Sequence, residues 1–249
     1  MWRAPIGRLE REDLYAMLYE CVTRSPGFAA LKAKVLEAVR RNPRLTAEEV
    51  AAAFNLIRGQ ALIALRSVRL WYHEVEEEVR VSRRIAPLYR KGAIGGTFDR
   101  FHLGHLALLN TAFRTAERVF IGLTTDRFVA SKGKSGVSPF EERRKRLEEV
   151  LRSWGWWERA EIGALDDELG PPARDPSYEV IVGSPFTLEN CLRVNASRIE
   201  RGLPPIAVEL SPIVIAEDGL PISSTRIRSG EVDEFGRLTR SQGPAARRA

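Results

Sequence analysis

Cysteine is almost missing from this 249-residue chain: Cys21 and Cys191 stand alone, without the paired spacing that a structural zinc or a disulfide framework requires. Histidine is as sparse, with only His73, His102 and His105. No apolar run approaches the roughly 20 residues of a membrane-spanning helix. The longest runs, around residues 61–65 and 213–216, are a fraction of that length, so no membrane partner is expected. Residues 1–13 mix Arg and Glu with few apolar side chains and lack the apolar segment of a secretory leader, which makes the cytoplasm the expected location. What is present is a globular composition, 44% apolar and 29% charged, enough to bury one sizeable core or two modest ones. The net charge of +6 is uneven: residues 1–90 carry +5, residues 91–235 carry −3 and the last 14 carry +4. The basic excess is spread along helical segments without interleaved aromatics, so nucleic acid is not an expected partner.

The pattern changes character near Pro87. Before it, apolar residues recur at helical spacing: Leu14, Met17, Leu18 and Cys21, then Val35, Leu36 and Val39, then a long face from Val50 through Val68 to Val75. Ser25 with Pro26 reads as a helix start, and Thr46 with Glu49 as a capping box. No β-rich run interrupts this stretch. After Pro87, short apolar runs (93–95, 119–123, 160–164, 180–182, 206–215) alternate with helical patterns (103–116, 139–151, 188–199, and one opening near Ser223). That alternation predicts an α/β fold with a doubly wound parallel sheet, preceded by a small all-α domain. The expected division is a helical domain over 1–88, an α/β domain over 89–235 and a disordered tail over 236–249, where Gly, Pro, Ala and Arg run without periodicity.

Two segments carry chemistry. In Gly95-Gly96-Thr97-Phe98-Asp99-Arg100-Phe101-His102-Leu103-Gly104-His105, glycines at a strand end permit a tight turn, and a helix N-terminus offers N–H groups to an anion. His102 and His105, three apart, project to one side of the first helical turn, and Gly104 removes a side chain that would block a nucleotide. In Ile222-Ser223-Ser224-Thr225-Arg226-Ile227-Arg228, successive hydroxyls precede a helix and an arginine follows one turn in, a second phosphate cradle. Ser138 and Glu141, with Pro139 between them, read as a capping box.

Together the two segments resemble the His-x-Gly-His nucleotidyltransferase superfamily, a Rossmann-like fold, over about 91–238. The Gly96-Thr97-Phe98-Asp99 form, the Lys132-Gly133-Lys134 loop, the run from Leu165 to Pro171, and Val182-Gly183-Ser184 followed by Thr187, Asn195 and Arg198 are most similar to its archaeal and eukaryotic pantetheine-phosphate adenylyltransferases. One departure is that Pro185 and Phe186 follow Ser184, where the family commonly has an acidic residue. The resemblance implies transfer of AMP from ATP to 4'-phosphopantetheine. His102, His105, Lys132 and Arg228 would be catalytic, and Thr97, Phe98, Gly104, Arg143, Ser223, Ser224 and Thr225 would bind nucleotide and substrate. Lys134 would stand behind Lys132, and Mg²⁺ would be held mainly by the ATP phosphates. The attacking phosphate, with a second pKa near 6, needs no side-chain base. The alternatives are a related transferase acting on another phosphorylated acceptor such as FMN, and a nucleotide-binding regulatory module. For the helical domain, self-association and simple stabilisation both remain open.

Overall fold

The computed structural model describes residues 11–239, and the side chains from residue 17 onward. Four helices come first: α1 (Arg11–Thr23), α2 (Phe28–Arg41), α3 (Ala47–Phe54) and α4 (Arg58–Arg66). Val22, Val35, Val39, Val50, Ala61, Ile63, Ala64, Leu65 and Val68 close a core of their own among them. The Thr46–Glu49 capping box forms, with both reciprocal bonds present. The start expected at Ser25 does not: α2 begins after Gly27 in a left-handed conformation (φ 86°), and the Ser25 hydroxyl donates back to the Val22 carbonyl at the end of α1.

The long helical face read from Val50 to Val75 is broken twice. Asn55, at φ 51°, ends α3. Arg69–Trp71 then leaves helical geometry altogether and forms strand β1, followed by a single 3₁₀ turn and α5 (Val75–Ser82). The all-α expectation for 1–88 is corrected at this point. β1 pairs in parallel with β7 (Ile213–Ile215), which lies 144 positions away.

The main sheet holds five parallel strands in the order β4-β3-β2-β5-β6, with β2 Tyr89–Gly96, β3 Ala116–Thr124, β4 Ala160–Leu165, β5 Val180–Gly183 and β6 Ala207–Leu210. Helices α6 (Leu103–Thr115), α7 (Asp126–Ser131), α8 (Phe140–Ser153), α9 (Leu188–Glu200) and α10 (Ser224–Arg228) complete the chain. Strand residues alternate between two apolar layers. Ile94, Val119, Ile121 and Leu123 face the core shared with α6, α8 and α5, while Ala93 and Phe120 face the one shared with α9, Ala173 and Tyr178. Both faces are therefore covered, as a parallel sheet requires.

The run 206–215, read as one strand, is two strands in different sheets, interrupted by Ser211 and Pro212. Leu70, Val75 and Val79 belong to the main core, so the helical unit closes around residue 68 rather than 88. The tail expected over 236–239 is ordered: the Gly236 carbonyl accepts from Glu217 N–H and Leu238 bridges to Val232. Residues 240–249 lie outside the described residues. No helix among the described residues is long and apolar enough to cross a membrane.

Candidate active site

The strand order reverses between β2 and β5. β2 pairs with β3 along its whole length but with β5 only at Gly92 and Ala93, so beyond Ala93 the two strands part. The crevice that opens at their carboxyl ends, the expected ligand position for such a sheet, is about 800 Å³ in volume. Thr97, Phe98, Gly104, His102, His105, Lys132, Ser223, Ser224, Thr225 and Arg228 all line it. Of the residues expected to form the site, Arg143 alone is elsewhere.

The turn after β2 is held in an unusual backbone. Phe98 and Arg100 both have positive φ, 49° and 45°, a costly conformation for side-chain-bearing residues. The Phe98 ring, 2% exposed, folds beneath Gly96, where a Cβ would stand 2.9 Å from it. Asp99 then ties the site together. Its Oδ1 accepts from Ser138 N–H (3.1 Å), its Oδ2 from Arg228 Nη1 (2.7 Å), and its carbonyl from the Ser224 hydroxyl (2.7 Å). Asp99 thus joins the two segments expected to bind anions, 125 or more residues apart.

His102 caps α6: its Nδ1 accepts from Gly104 N–H at 3.0 Å, which leaves Nε2 as the protonated nitrogen. The His105 ring stacks on it at 3.9 Å, flanked by Phe98 and Phe101. Burial pushes His102 down to about 4 and His105 well below the ordinary histidine range, with the neighbouring imidazole adding to the second shift. Both are neutral N–H donors at neutral pH. His105 Nδ1 is enclosed and has no hydrogen-bond partner. At Gly104, which lines the cleft, a Cβ would stand 2.8 Å from His102 Cε1, so the missing side chain makes room for the cap.

At α10, Ser223 accepts from Arg226 N–H (3.3 Å) as N-cap, and Thr225 Oγ1 accepts from Arg228 Nη2 (3.3 Å). These hydroxyls and that of Ser224 are engaged in shaping the segment, which leaves first-turn backbone N–H groups and Arg228 facing the cleft. Lys132 ends α7 and ion-pairs with Glu168, which also holds Arg193. Lys134 lines the cleft in the same loop.

Arg143 is buried at 2% exposure and does not reach the cleft. Its Nε donates to Ser138 O (2.8 Å), Nη1 to Thr97 O (2.9 Å) and Nη2 to Asp126 (2.8 Å). In this structure Arg143 braces the back of the turn. The capping box expected at Ser138 and Glu141 is also absent: α8 starts one residue later, its Phe140 N–H bonded to Asp126 Oδ2. Asp99, Asp126 and Glu168 are the residues that sequence reasoning did not assign. Asp99 carried a signal in its place inside the turn motif, and Glu168 in its place in the run from Leu165 to Pro171; Asp126 carried none. Burial pushes the Cys191 thiol up to about 11, which leaves it inert as a nucleophile.

Residues 93–230 match the cytidylyltransferase-like family. Phosphopantetheine adenylyltransferase of Methanopyrus kandleri is 46% identical over 146 residues, which cover 59% of this chain and 92% of that protein. The protein of that name from Methanothermobacter thermautotrophicus is 44% identical over 64% of this chain and 96% of its own length. That from Pyrococcus abyssi is 41% identical over 59% and 94%. With more than half its length matched in motif order, this chain belongs to the cytidylyltransferase-like family.

Proposed function

We propose that this protein is a phosphopantetheine adenylyltransferase of the cytoplasm, transferring AMP from ATP to 4'-phosphopantetheine to give dephospho-coenzyme A and pyrophosphate. The observation that carries this reading is the 46% identity spread over nearly the whole of the Methanopyrus kandleri enzyme. An oxygen of the acceptor phosphate forms a bond to the α-phosphorus of ATP as the bond to the β-phosphate bridging oxygen breaks, and that electron pair leaves on pyrophosphate. The nucleophile is already largely ionised at neutral pH, so the chain's task is placement of two anions and stabilisation of spreading charge.

Neutral His102 and His105 would donate N–H to phosphate oxygens of ATP. Such donors, fixed by stacking and by the Gly104 cap, need no reorganisation as charge develops. Arg228, oriented by Asp99, would hold the β- and γ-phosphates with the first-turn N–H groups of α10. Lys132, exchanging Glu168 for the incoming phosphate, would neutralise the acceptor, with Lys134 beside it. Among the described residues no group of three or more His, Cys, Asp or Glu could cage a metal, and Asp99 is committed to Ser138 and Arg228. Mg²⁺ carried on the triphosphate would supply charge neutralisation there.

The test is pyrophosphate release from ATP with a panel of acceptors. 4'-Phosphopantetheine is expected to give the highest kcat/KM, well above FMN, nicotinamide mononucleotide or glycerol phosphate. A higher value for any of those three would overturn the acceptor while leaving the family intact.

A further inference from the structure

The family match begins at residue 93, yet the segment before it touches the supports of both anion-binding motifs. On one side, β1 pairs with β7 at Arg69–Ile213, Leu70–Val214 and Trp71–Ile215, and Ile213 N–H donates to Val68 O at 2.8 Å. β7 in turn holds the second motif, because Ile222 N–H donates to Val214 O at 3.0 Å. Immediately upstream, Lys32 of α2 reaches across to the end of β6: its Nζ donates to Leu210 O at 3.0 Å and lies 3.5 Å from Glu209 Oε2. Ser211, Pro212 and Ile213, the cleft wall, are therefore held from both ends by the helical unit. On the other side, Glu78 of α5 joins Arg66 (2.9 Å) to Arg114 (3.2 Å) at the far end of α6, and the Tyr19 ring lies under that Arg114. α6 is the helix that carries His102 and His105 at its start.

We propose that residues 17–82 are an intramolecular brace that sets the position of the two phosphate-binding segments, with Lys32 as the positioning residue for the wall at 211–213. Lys32 touches no substrate; it acts through Leu210. The ammonium is largely removed from water, and that burial lowers its pKa. A lysine serves this purpose because it anchors a carbonyl and a carboxylate at once, where an apolar side chain of equal length would leave Leu210 O unpaired.

The inference rests on the reading that the cleft takes ATP, and it is tested by calorimetric titration of ATP alone into the full chain, without acceptor. Lys32→Met keeps the side-chain length and is expected to weaken ATP binding about tenfold, in line with the large effects of small displacements in a binding geometry. Lys32→Arg is expected to restore most of it. Val35→Ala, which loosens the helical core without touching residues 209–213, is expected to leave ATP affinity within about twofold. Lys32→Met binding ATP like the wild type would overturn the brace, and Val35→Ala weakening it equally would overturn Lys32 as its positioning residue. If Lys32→Met fails to fold, Glu209→Gln, altering a half-exposed carboxylate, replaces it: weakened binding supports the proposal and unchanged binding overturns it. A wild-type chain that binds no ATP would sink the functional reading and the brace with it. A chain that binds ATP but prefers another acceptor would change only the former.

Discussion

His105 shows how a site can be legible while its electrostatics are not. Two of three histidines within one strand-to-helix turn single out that turn as a candidate anion site from sequence alone. Their charge state follows from burial, a property of the fold: enclosed against Phe98, Phe101 and each other, both imidazoles are pushed toward the neutral form and would act by hydrogen bonding rather than by charge. If the His105 donor bond strengthens in the transition state, His105→Ala is expected to lower kcat by roughly 10²- to 10³-fold with a smaller change in ATP affinity. The ring is stacked on His102, and removing it is expected to cost about 1–2 kcal/mol. Steady-state pyrophosphate release and thermal denaturation read the two effects separately. A normal kcat with a raised KM would instead assign His105 to uniform binding. Asp99 was visible as a letter in the motif, but the contact that matters, to Arg228, is a product of folding that no local pattern encodes.

At the scale of elements, periodicity located the strands of the main sheet because both faces are buried and the apolar runs are bounded. It failed at β1. Three residues, Arg69, Leu70 and Trp71, continue a helical rhythm and become a strand only by pairing with Ile213–Ile215, a nonlocal partner that outweighs local propensity. The split at Ser211 and Pro212 was hidden for a related reason: apolar character runs through, but the two halves belong to different sheets. The helix starts misread at Ser25 and Ser138 had different causes: the first is set by a left-handed glycine, the second by Asp126 on another element. Arg143 links three elements: the turn after β2, the first turn of α7 and the start of α8. Replacing it with Met leaves the Thr97 and Ser138 carbonyls without their donor and is expected to destabilise the fold by about 3 kcal/mol. Denaturant unfolding checks this; a loss below about 1 kcal/mol would show that these bonds do not brace the turn.

For the molecule as a whole, composition promised one large core or two modest ones, and the chain has a separate small core around α4 beside the two layers of the sheet. What composition could not place was the seam. Pro87 marks the change in sequence rhythm, but Leu70, Val75 and Val79, each at 1% exposure or less, are already part of the main core. A chain beginning at residue 88 would lose these three side chains, at about 1.5–3 kcal/mol each. It would also bare the β7 edge and strip Arg114 of Glu78, leaving a buried cation without its carboxylate. The sum rivals the 5–15 kcal/mol net stability of an ordinary domain, so this shortened chain is expected to be insoluble and without turnover. A chain beginning at residue 67 keeps β1 and α5 and is expected to be recovered folded, with ATP binding weakened by the loss of Lys32. Expression followed by circular dichroism and ATP titration separates the two. Soluble, active protein from residue 88 onward would show that β1 and α5 are dispensable and that the seam lies at Pro87 after all.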